Sequence, residues 1–248
     1  MQLNRVTAVD DRVPVKNALV SVADKSGLEP FVEKLWRTIP DLTIYSTGGT
    51  YTLLASLAER LGRETPALLP RLRSISSYTG QPEMQGGLVK TLDFRVYLGL
   101  LSERYNQDHQ ADLARTGAVP FDMTVCSFYP FENTAERPDA TLEDLRSNID
   151  IGGPTMLRAS AKNYLRVLPV CRSEDYDRVL EELKTHDGRT PLAFRLAMAL
   201  EAFRCTARYE EAITRHLARV AGETDPGELY STEPAEAGGV RSAEKEEK

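Results

Sequence analysis

The sequence is poor in the residues that cross-link a protein or bind metals. Its 248 residues include three cysteines and three histidines, and none of them is spaced like a disulfide framework or a zinc site. No apolar run is long enough to span a bilayer, and residues 1–16 lack the apolar core of a signal peptide. We therefore predict a cytoplasmic protein without a metal site, whose cysteines are small core-filling residues in a reducing compartment.

Positive charge is not in excess either. The formal net charge is −6 at pH 7, and a field of that sign does not attract nucleic acid. With 41% hydrophobic residues, the chain is able to bury a sizeable core. We therefore expect neither nucleic acid nor a membrane as a partner.

Short apolar runs alternate with helical patterns along most of the chain. The apolar runs predict strands at 17–22, 42–46, 73–76, 123–128 and 167–171, and the helical spacing predicts helices at 28–38, 51–61, 155–163 and 176–184. A capping box formed by Thr141 and Asp144 predicts the start of another helix. This alternation favours an α/β fold with a largely parallel sheet.

The C-terminal part contains a helical pattern followed by a segment of different composition. The pattern over 191–220 predicts long helices that pack on the domain or supply a subunit contact. From residue 222 the composition turns to Gly, Pro, Ser, Thr and charged residues, which cannot bury enough apolar surface to fold. We therefore predict a domain at 15–221 and a disordered acidic tail at 222–248.

Polar groups suited to an anion follow the first two predicted strands. Ser21 and Lys25 follow the first strand, and the turn Thr47-Gly48-Gly49-Thr50 follows the second. In a parallel sheet both turns lie at the same edge, where helix N-termini, hydroxyls and a lysine bind oxyanions. Tight turns and N-caps account for either turn alone, but two in succession favour a phosphate site.

The segment 148–155 carries a carboxylate beside a glycine pair. Asp150 comes just before Gly152 and Gly153, which permit backbone conformations closed to other residues. Lys162 stands near the far end of the helix that is predicted to follow. Because a helix rises about 1.5 Å per residue, Asp150 and Lys162 cannot touch along it. They serve one pocket from different directions, or they serve none.

Two further stretches carry candidate residues. The segment 76–92 is long and rich in turns, and such ordered loops are commonly functional. Lys90 in this segment is a candidate, with a solvated surface charge as the alternative. Tyr129 follows the strand predicted at 123–128 and either packs in an aromatic cluster or faces the ligand crevice. Spacing does not separate these two interpretations.

In their order along the chain, these segments resemble the IMP cyclohydrolase domain of bifunctional purine biosynthesis proteins. The matching segments are 18–27, 46–50, 78–84, 89–92 and 128–131, together with those around Asp150 and Lys162. The resemblance implies a methylglyoxal-synthase-like fold, with three layers and helices on both faces of the sheet. It also implies a homodimer and a reaction without a cofactor. In that reaction 5-formamidoimidazole-4-carboxamide ribotide closes to inosine monophosphate with loss of water, the last step of de novo purine biosynthesis.

The resemblance also implies roles for individual residues. Lys162 and Asp150 would move protons, whereas Lys90 and Tyr129 would polarise the formyl oxygen. The substrate contacts would be Ser21, Lys25, Thr47, Gly48, Gly49, Thr50, Thr91, Gly152 and Gly153.

The sequence departs from the usual pattern of this family at three positions and in length. Leu88 stands where an arginine is usual, Asp93 stands where a histidine is usual, and Ser127 replaces an asparagine. Arg95 is a candidate to supply the missing guanidinium. The resemblance does not reach a transformylase domain, which implies a free-standing cyclohydrolase and a separate transformylase.

Two other functions on the same fold stay open. A methylglyoxal-synthase-like lyase needs a carboxylate base beside a triose phosphate, and a phosphate cradle alone does not exclude it. A non-catalytic regulatory domain that binds a nucleotide or a phosphate would keep the cradle but would not need the four reacting residues. The segments around Asp150 and Lys162 argue against the lyase, and because all four reacting residues are present in the sequence, we rank the regulatory domain last and the cyclohydrolase first.

Overall fold

A five-stranded parallel sheet forms the centre of the protein. The computed structural model describes residues 5–81, 91–129, 131–137, 139–223 and 227. The strands are β1 (Arg12–Pro14), β2 (Asn17–Ser21), β3 (Thr43–Ser46), β4 (Arg71–Ser74), β5 (Met123–Cys126), β6 (Leu168–Val170) and β7 (Arg189–Pro191). The sheet has the strand order β4-β3-β2-β5-β6, and every neighbouring pair in it is parallel.

Helices cover both faces of this sheet. They are α1 (Leu28–Thr38), α2 (Gly48–Glu64), α3 (Ile75–Thr79), α4 (Phe94–Leu101), α5 (Gln107–Thr116), α6 (Phe131–Ala135), α7 (Leu142–Ser147), α8 (Gly152–Lys162), α9 (Tyr176–Thr185) and α10 (Leu192–Glu223). Buried side chains of α1, α2 and α9 pack on one face, whereas those of α4 and α8 pack on the other. The predicted three-layer α/β fold is confirmed. Strands β5 and β6 are buried throughout, as expected where helices cover both faces.

The C-terminal pattern forms one continuous helix, α10, of 32 residues. Its apolar side packs on α8 through Ala199 and Ala202, and on the main core through Phe194 and Met198. The tail predicted at 222–248 lies outside the described residues except for 222, 223 and 227. Within the described ranges, no helix combines the length and the apolar character needed to cross a membrane.

A buried arginine in α10 ties three other parts of the chain together. Arg195 is fully buried, and its guanidinium donates hydrogen bonds to the backbone carbonyl oxygens of Asp10, Asp11, Tyr164, Leu165 and Thr190. These bonds join the segment before β1, the loop before β6, and β7 to a single side chain. The packed part of the chain therefore extends N-terminal to the predicted start at residue 15.

The helices that follow the two glycine pairs begin earlier than the sequence predicts. Helix α2 begins at Gly48 rather than at residue 51, and α8 begins at Gly152 rather than at residue 155. In both helices the glycines themselves form the first turn. The antiparallel pair of β1 and β7 is not predicted, because strands of three residues give no readable alternation.

The packing of α4 against the segment before β5 provides a test of the fold. A Cβ atom on Gly99 of α4 would overlap the carbonyl oxygen of Val119 and lie 2.9 Å from Cδ2 of Phe121. We expect Gly99→Ala to lower the free energy of unfolding by about 2 kcal/mol, because overpacking a well-packed site costs roughly 1–3 kcal/mol. Denaturant unfolding measures this loss.

Gly62 in α2 is the matched control for this substitution. Apart from its chain neighbours and the backbone of its own helix, no described atom lies within 4 Å of a Cβ placed on it, so Gly62→Ala is expected to raise the free energy of unfolding by up to about 1 kcal/mol through helix propensity. Equal unfolding midpoints for Gly99→Ala and the parent chain would contradict the close packing of α4.

Candidate active site

A cleft of about 390 Å³ opens at the carboxyl ends of β2, β3 and β5, the edge at which open parallel sheets bind ligands. Two of the four predicted reacting residues, Tyr129 and Asp150, line this cleft. The predicted substrate contacts line it as well, and these are Ser21, Lys25, Thr47, Gly48, Gly49, Thr50, Thr91, Gly152 and Gly153. The fold therefore brings polar residues from distant segments into one cavity.

Hydroxyl groups join the ends of β2 and β3 at the floor of the cleft. The hydroxyls of Ser21 and Thr47 lie 3.0 Å apart. The Thr50 hydroxyl donates to the carbonyl oxygen of Val22 at 3.0 Å and accepts from the Val22 N–H at 3.3 Å. Because the Thr50 side chain is used in this way, it fixes the start of α2 beside β2.

The N-terminus of α2 has the features that the sequence predicts for an anion site. Gly48 has a φ of 47°, a left-handed conformation that favours glycine. Among the described residues, the Thr47 side chain caps none of the first N–H groups of α2, so these donors and the positive end of the helix dipole stay available. Lys25 adds a full positive charge, since its side chain passes Gly49 and its Nζ donates to the carbonyl oxygen of Ala23 at 3.4 Å.

The glycine pair at the start of α8 makes room for neighbouring side chains. A Cβ on Gly153 would lie 2.7 Å from Oδ2 of Asp150, and a Cβ on Gly152 would lie 2.9 Å from Oγ1 of Thr91. Neither glycine has a positive φ, so the prediction that they serve an unusual backbone conformation is wrong. Their role is steric: only a residue without a side chain lets Asp150 and Thr91 approach the helix so closely.

The Asp150 carboxyl lies at the N-terminus of α8, where its Oδ1 accepts the N–H of Gly153 at 3.0 Å. Burial raises the pKa of Asp150 above its ordinary value, although hydrogen bonding from the backbone N–H groups of Gly153, Tyr129 and Gly152 partly opposes this shift. A carboxyl group with a raised pKa is a better proton acceptor than an exposed one. The geometry therefore fits Asp150 for proton transfer.

Tyr129 belongs to the loop that follows β5. Its side chain is 63% exposed and lines the cleft, which favours the ligand-facing interpretation over a packing role. The neighbouring aromatic residues do the packing: Phe131 is buried and Phe128 is partly buried. Tyr129 is thus held between two anchored neighbours with its own ring free to meet a ligand.

Unlike Tyr129 and Asp150, the two predicted lysines of the reacting cluster are not among the described residues that line the cleft. Lys90 lies outside the described residues. Lys162 is exposed, is absent from the described lining of the cleft, and ends the 11-residue helix that Gly152 begins. At a rise of about 1.5 Å per residue, this places it roughly 15 Å from the cleft end of α8. The structure therefore does not bring Lys162 and Asp150 together within one chain.

The positions that depart from the family pattern have structural partners. Asp93 is buried and caps α4, because its Oδ1 accepts the N–H of Arg95 at 2.7 Å and its Oδ2 accepts Nε2 of Gln81 at 2.8 Å. Arg95 donates to the carbonyl oxygen of Tyr78 at 3.1 Å and is absent from the described lining of the cleft, so it does not supply the missing charge there. Leu88 lies outside the described residues.

Ser127, the third departure, does line the cleft. Its hydroxyl accepts the N–H of Ala23 at 3.0 Å. This bond joins the chain after β2 to the chain after β5 and so shapes the boundary of the cavity.

Tyr209 of α10 supports the Asp150 segment, a contact that nothing in the local sequence indicates. Its hydroxyl oxygen accepts the N–H of Asp150 at 2.7 Å and lies 3.5 Å from the carbonyl oxygen of Asn148, to which it donates. Its ring packs against Phe128, with 5.0 Å between ring centroids. Because Tyr209 contacts both segments, it holds the Tyr129 loop and Asp150 in a fixed relation.

Comparison with known proteins gives relatives of one kind. The chain is 45% identical over 204 residues to the "Bifunctional purine biosynthesis protein PurH" of Synechococcus sp. (strain CC9605), which covers 82% of this chain and 37% of that protein. It is 40% identical over 233 residues to the protein of the same name from Magnetococcus marinus, covering 93% of this chain and 41% of that protein. The chain thus spans about 40% of the length of these relatives.

A solved structure and a family model agree with these relatives. The structure described as "Crystal structure of ForH" is 30% identical, has a TM-score of 0.66, and is matched over 82% of this chain and 96% of its own. The model of the AICARFT/IMPCHase bienzyme family matches residues 160–241. The chain belongs to the AICARFT/IMPCHase family. The matched range of the family model includes α10 and therefore Tyr209. The cleft residues before residue 160 lie outside that range and fall within the part of the chain that the relatives match.

The contact between Tyr209 and Asp150 generates a prediction for this AICARFT/IMPCHase family member. Tyr209→Phe removes the acceptor of the Asp150 N–H but keeps the aromatic ring. We expect that amide to exchange with solvent about fivefold faster, because a hydrogen bond of this kind contributes about 1 kcal/mol. Hydrogen exchange followed by NMR or mass spectrometry measures the change.

The control is Tyr105→Phe, which removes a hydroxyl contact of the same length, 2.7 Å to Asp10, on an exposed part of the chain. It should leave the exchange of the Asp150 amide unchanged. Unaltered exchange in Tyr209→Phe would show that the Tyr209 hydroxyl does not hold this segment.

Proposed function

We propose that the chain catalyses the IMP cyclohydrolase reaction, in which 5-formamidoimidazole-4-carboxamide ribotide closes to inosine monophosphate with loss of water. The observation that carries this proposal is that an uncapped helix N-terminus with a lysine shares one cleft with the Asp150 carboxyl. The family and the names of the relatives support it further.

The electrostatics of the two helix N-termini favour one orientation of the substrate. At α8 the positive end of the helix already faces a carboxyl, that of Asp150, whereas the first N–H groups of α2 carry no side-chain cap from the described residues. A phosphate therefore binds better at α2, beside Lys25. The imidazole end of the nucleotide then extends toward Tyr129 and Asp150.

The reaction needs a proton acceptor near a group that stabilises negative charge. The carboxamide nitrogen attacks the formyl carbon, so that a C–N bond forms and the formyl oxygen gains charge. Asp150 accepts the proton that this nitrogen loses, and the Tyr129 hydroxyl donates a hydrogen bond to the oxygen. The C–O bond then breaks, and the departing water carries one hydrogen from the carboxamide nitrogen and one from the formamide nitrogen.

The two lysines enter the proposal differently. Lys90, by resemblance to the family, assists Tyr129 in polarising the formyl oxygen. Lys162 receives no role in the cleft of its own chain, because it is exposed at the opposite end of α8. The proton transfer assigned jointly to Lys162 and Asp150 in the sequence analysis is therefore proposed for Asp150 alone.

The proposal also concerns the oligomeric state, the cellular compartment and the source of the formyl group. We infer from the family resemblance that the chain acts as a homodimer in the cytoplasm and that a transformylase activity installs the formyl group before closure. Three free cysteines are compatible with a reducing compartment.

The direct test incubates the purified chain with the formylated ribotide and follows the absorbance of inosine monophosphate. Dihydroxyacetone phosphate is the control substrate, because a methylglyoxal-synthase-like lyase would convert it. Formation of inosine monophosphate supports the proposal. Conversion of only the triose phosphate, or of neither compound, would overturn it.

Asp150→Asn is the variant that examines the proton acceptor. Asparagine keeps an oxygen for the Gly153 N–H but cannot accept the proton, so we expect the rate of closure to fall by about 10²–10⁴-fold. Asp177→Asn is the control, because Asp177 is exposed at the start of α9, far from the cleft. A near-normal rate in Asp150→Asn would remove Asp150 from the mechanism.

The raised pKa of Asp150 also sets the direction of two pH effects. Closure requires the ionised carboxylate, so the rate is expected to fall on acidification with a midpoint above the ordinary aspartate pKa of 3.8. Folding favours the protonated form, so the contribution of Asp150 to stability is largest at low pH and is lost as pH rises through the folded-state pKa. Asp150→Asn should therefore be at least as stable as the parent chain at pH 7, and lower stability would contradict this.

A further inference from the structure

Two of the three cysteines meet in the folded chain, although they are far apart in the sequence. Cys171 follows β6 and Cys205 lies in α10, and both are free thiols. Cys205 packs against the apolar cluster to which Cys171 belongs. Both thiols belong to one apolar cluster with Leu157 of α8 and Ala202 of α10. The fold therefore holds a dithiol pair that the spacing in the sequence does not indicate.

The pair lies between a cavity and the surface of α10. Cys171 lines a cavity of about 240 Å³ at the carboxyl ends of β2, β5 and β6, which shares Val22 and Ser127 with the active-site cleft. Cys205 is half-buried on α10. Cys171 therefore borders a cavity, and Cys205 is partly exposed on α10.

The surroundings of the pair favour a thiolate on Cys205. Interaction with the neighbouring Cys171 thiol lowers the pKa of Cys205, with help from the positive charges of Arg208 and Arg172 and against the effect of burial. Arg172 is itself paired with Asp175 at 3.0 Å. Cys171 is the more deeply buried of the two thiols, and its interaction with Cys205 together with this burial raises its pKa, so that it retains its proton. Since thiolates rather than thiols attack disulfides, Cys205 is the nucleophile of the pair.

Cys126 provides the contrast within the same chain. It is fully buried, and burial together with the charge of Asp150 raises its pKa. Its thiol donates to the carbonyl oxygen of Gly153 at 3.5 Å. Cys126 is therefore expected to be inert toward reagents in solution.

We propose that Cys171 and Cys205 form a thiol-modification site, at which a low-molecular-weight disulfide such as oxidised glutathione produces an intramolecular disulfide. The Cys205 thiolate attacks one glutathione sulfur, which forms a mixed disulfide and releases a glutathione thiolate. Cys171 then loses its proton and attacks the Cys205 sulfur, which releases the second glutathione thiolate. Two electrons pass from the protein thiols to oxidised glutathione, and the two protons leave with the two glutathione molecules.

The new bond would join the end of β6 to α10. Cys205 and Tyr209 are four residues apart in α10 and thus lie on one face of the helix. The turn of α10 that supports Asp150 through Tyr209 would then be tied covalently to the sheet. This inference does not depend on the proposed function, because it concerns only the thiols and their neighbours.

The test exposes the full chain to glutathione buffers of increasing oxidised fraction at pH 7, traps free thiols by alkylation, and maps the products by peptide mass spectrometry. We expect the number of free thiols to fall from three to one, with Cys126 as the remaining thiol and a Cys171–Cys205 linked peptide. Three free thiols under the most oxidising buffer, or a disulfide that includes Cys126, would overturn the proposal. This arm uses the unaltered chain and needs no variant to fold.

Two variants separate the roles of the thiols. Cys171→Ser is expected to stop at the mixed disulfide and keep one glutathione per chain on Cys205, and Cys171→Ala repeats the measurement if the serine variant does not fold. Cys205→Ser is expected to react at least about tenfold more slowly, because the remaining thiol stays protonated. Reaction of Cys205→Ser at the rate of the parent chain would overturn the assignment of Cys205 as the nucleophile.

Discussion

The candidate site depends on how closely the Asp150 side chain approaches the first turn of α8. Its carboxylate accepts the Gly153 N–H at 3.0 Å, and a Cβ on Gly153 would stand 2.7 Å from the other carboxylate oxygen and 3.1 Å from the Phe128 ring. Tyr209 holds the backbone of Asp150 from the opposite side. This arrangement keeps the carboxyl buried enough to raise its pKa and still directs it into the cleft.

The parallel sheet explains why an anion site forms next to this carboxyl. In such a sheet every strand ends at the same edge, and the helix that follows a strand begins there with its positive end inward. Helices α2 and α8 both begin at the cleft. The N-terminus of α8 carries the Asp150 carboxyl, whereas the first turn of α2 has no acidic residue. The two helix N-termini in the cleft therefore differ in charge. In the proposed function, a chain with a net charge of −6 binds an anion through local fields rather than through its total charge.

Local sequence patterns predict much of this arrangement. Helix α1 runs over the predicted residues 28–38, the capping box of Thr141 forms as expected, and the parallel α/β fold follows from the alternation of apolar runs. The turn at Thr47 to Thr50 lines the cleft. Its position is predictable because its signals, a strand followed by glycines, are adjacent in the chain.

Features that depend on long-range packing are missing from the sequence analysis. Nothing near Tyr209 indicates that it will meet Asp150, which is 59 residues away. The pairing of Cys171 with Cys205 arises only once α10 lies against β6. The steric role of Gly153 is missed for the same reason. In the sequence, a glycine that makes room for a neighbouring side chain looks the same as a glycine that permits an unusual backbone conformation.

The proposed function places a nucleotide in one cleft, with its phosphate at α2 and its base at α8. A crystal structure of the chain with inosine monophosphate examines this directly. We predict the phosphate against the N–H groups of Gly48 to Thr50 and beside Lys25, with the purine ring next to Tyr129 and Asp150. A phosphate at the start of α8, or a nucleotide bound outside the cleft, would contradict the account.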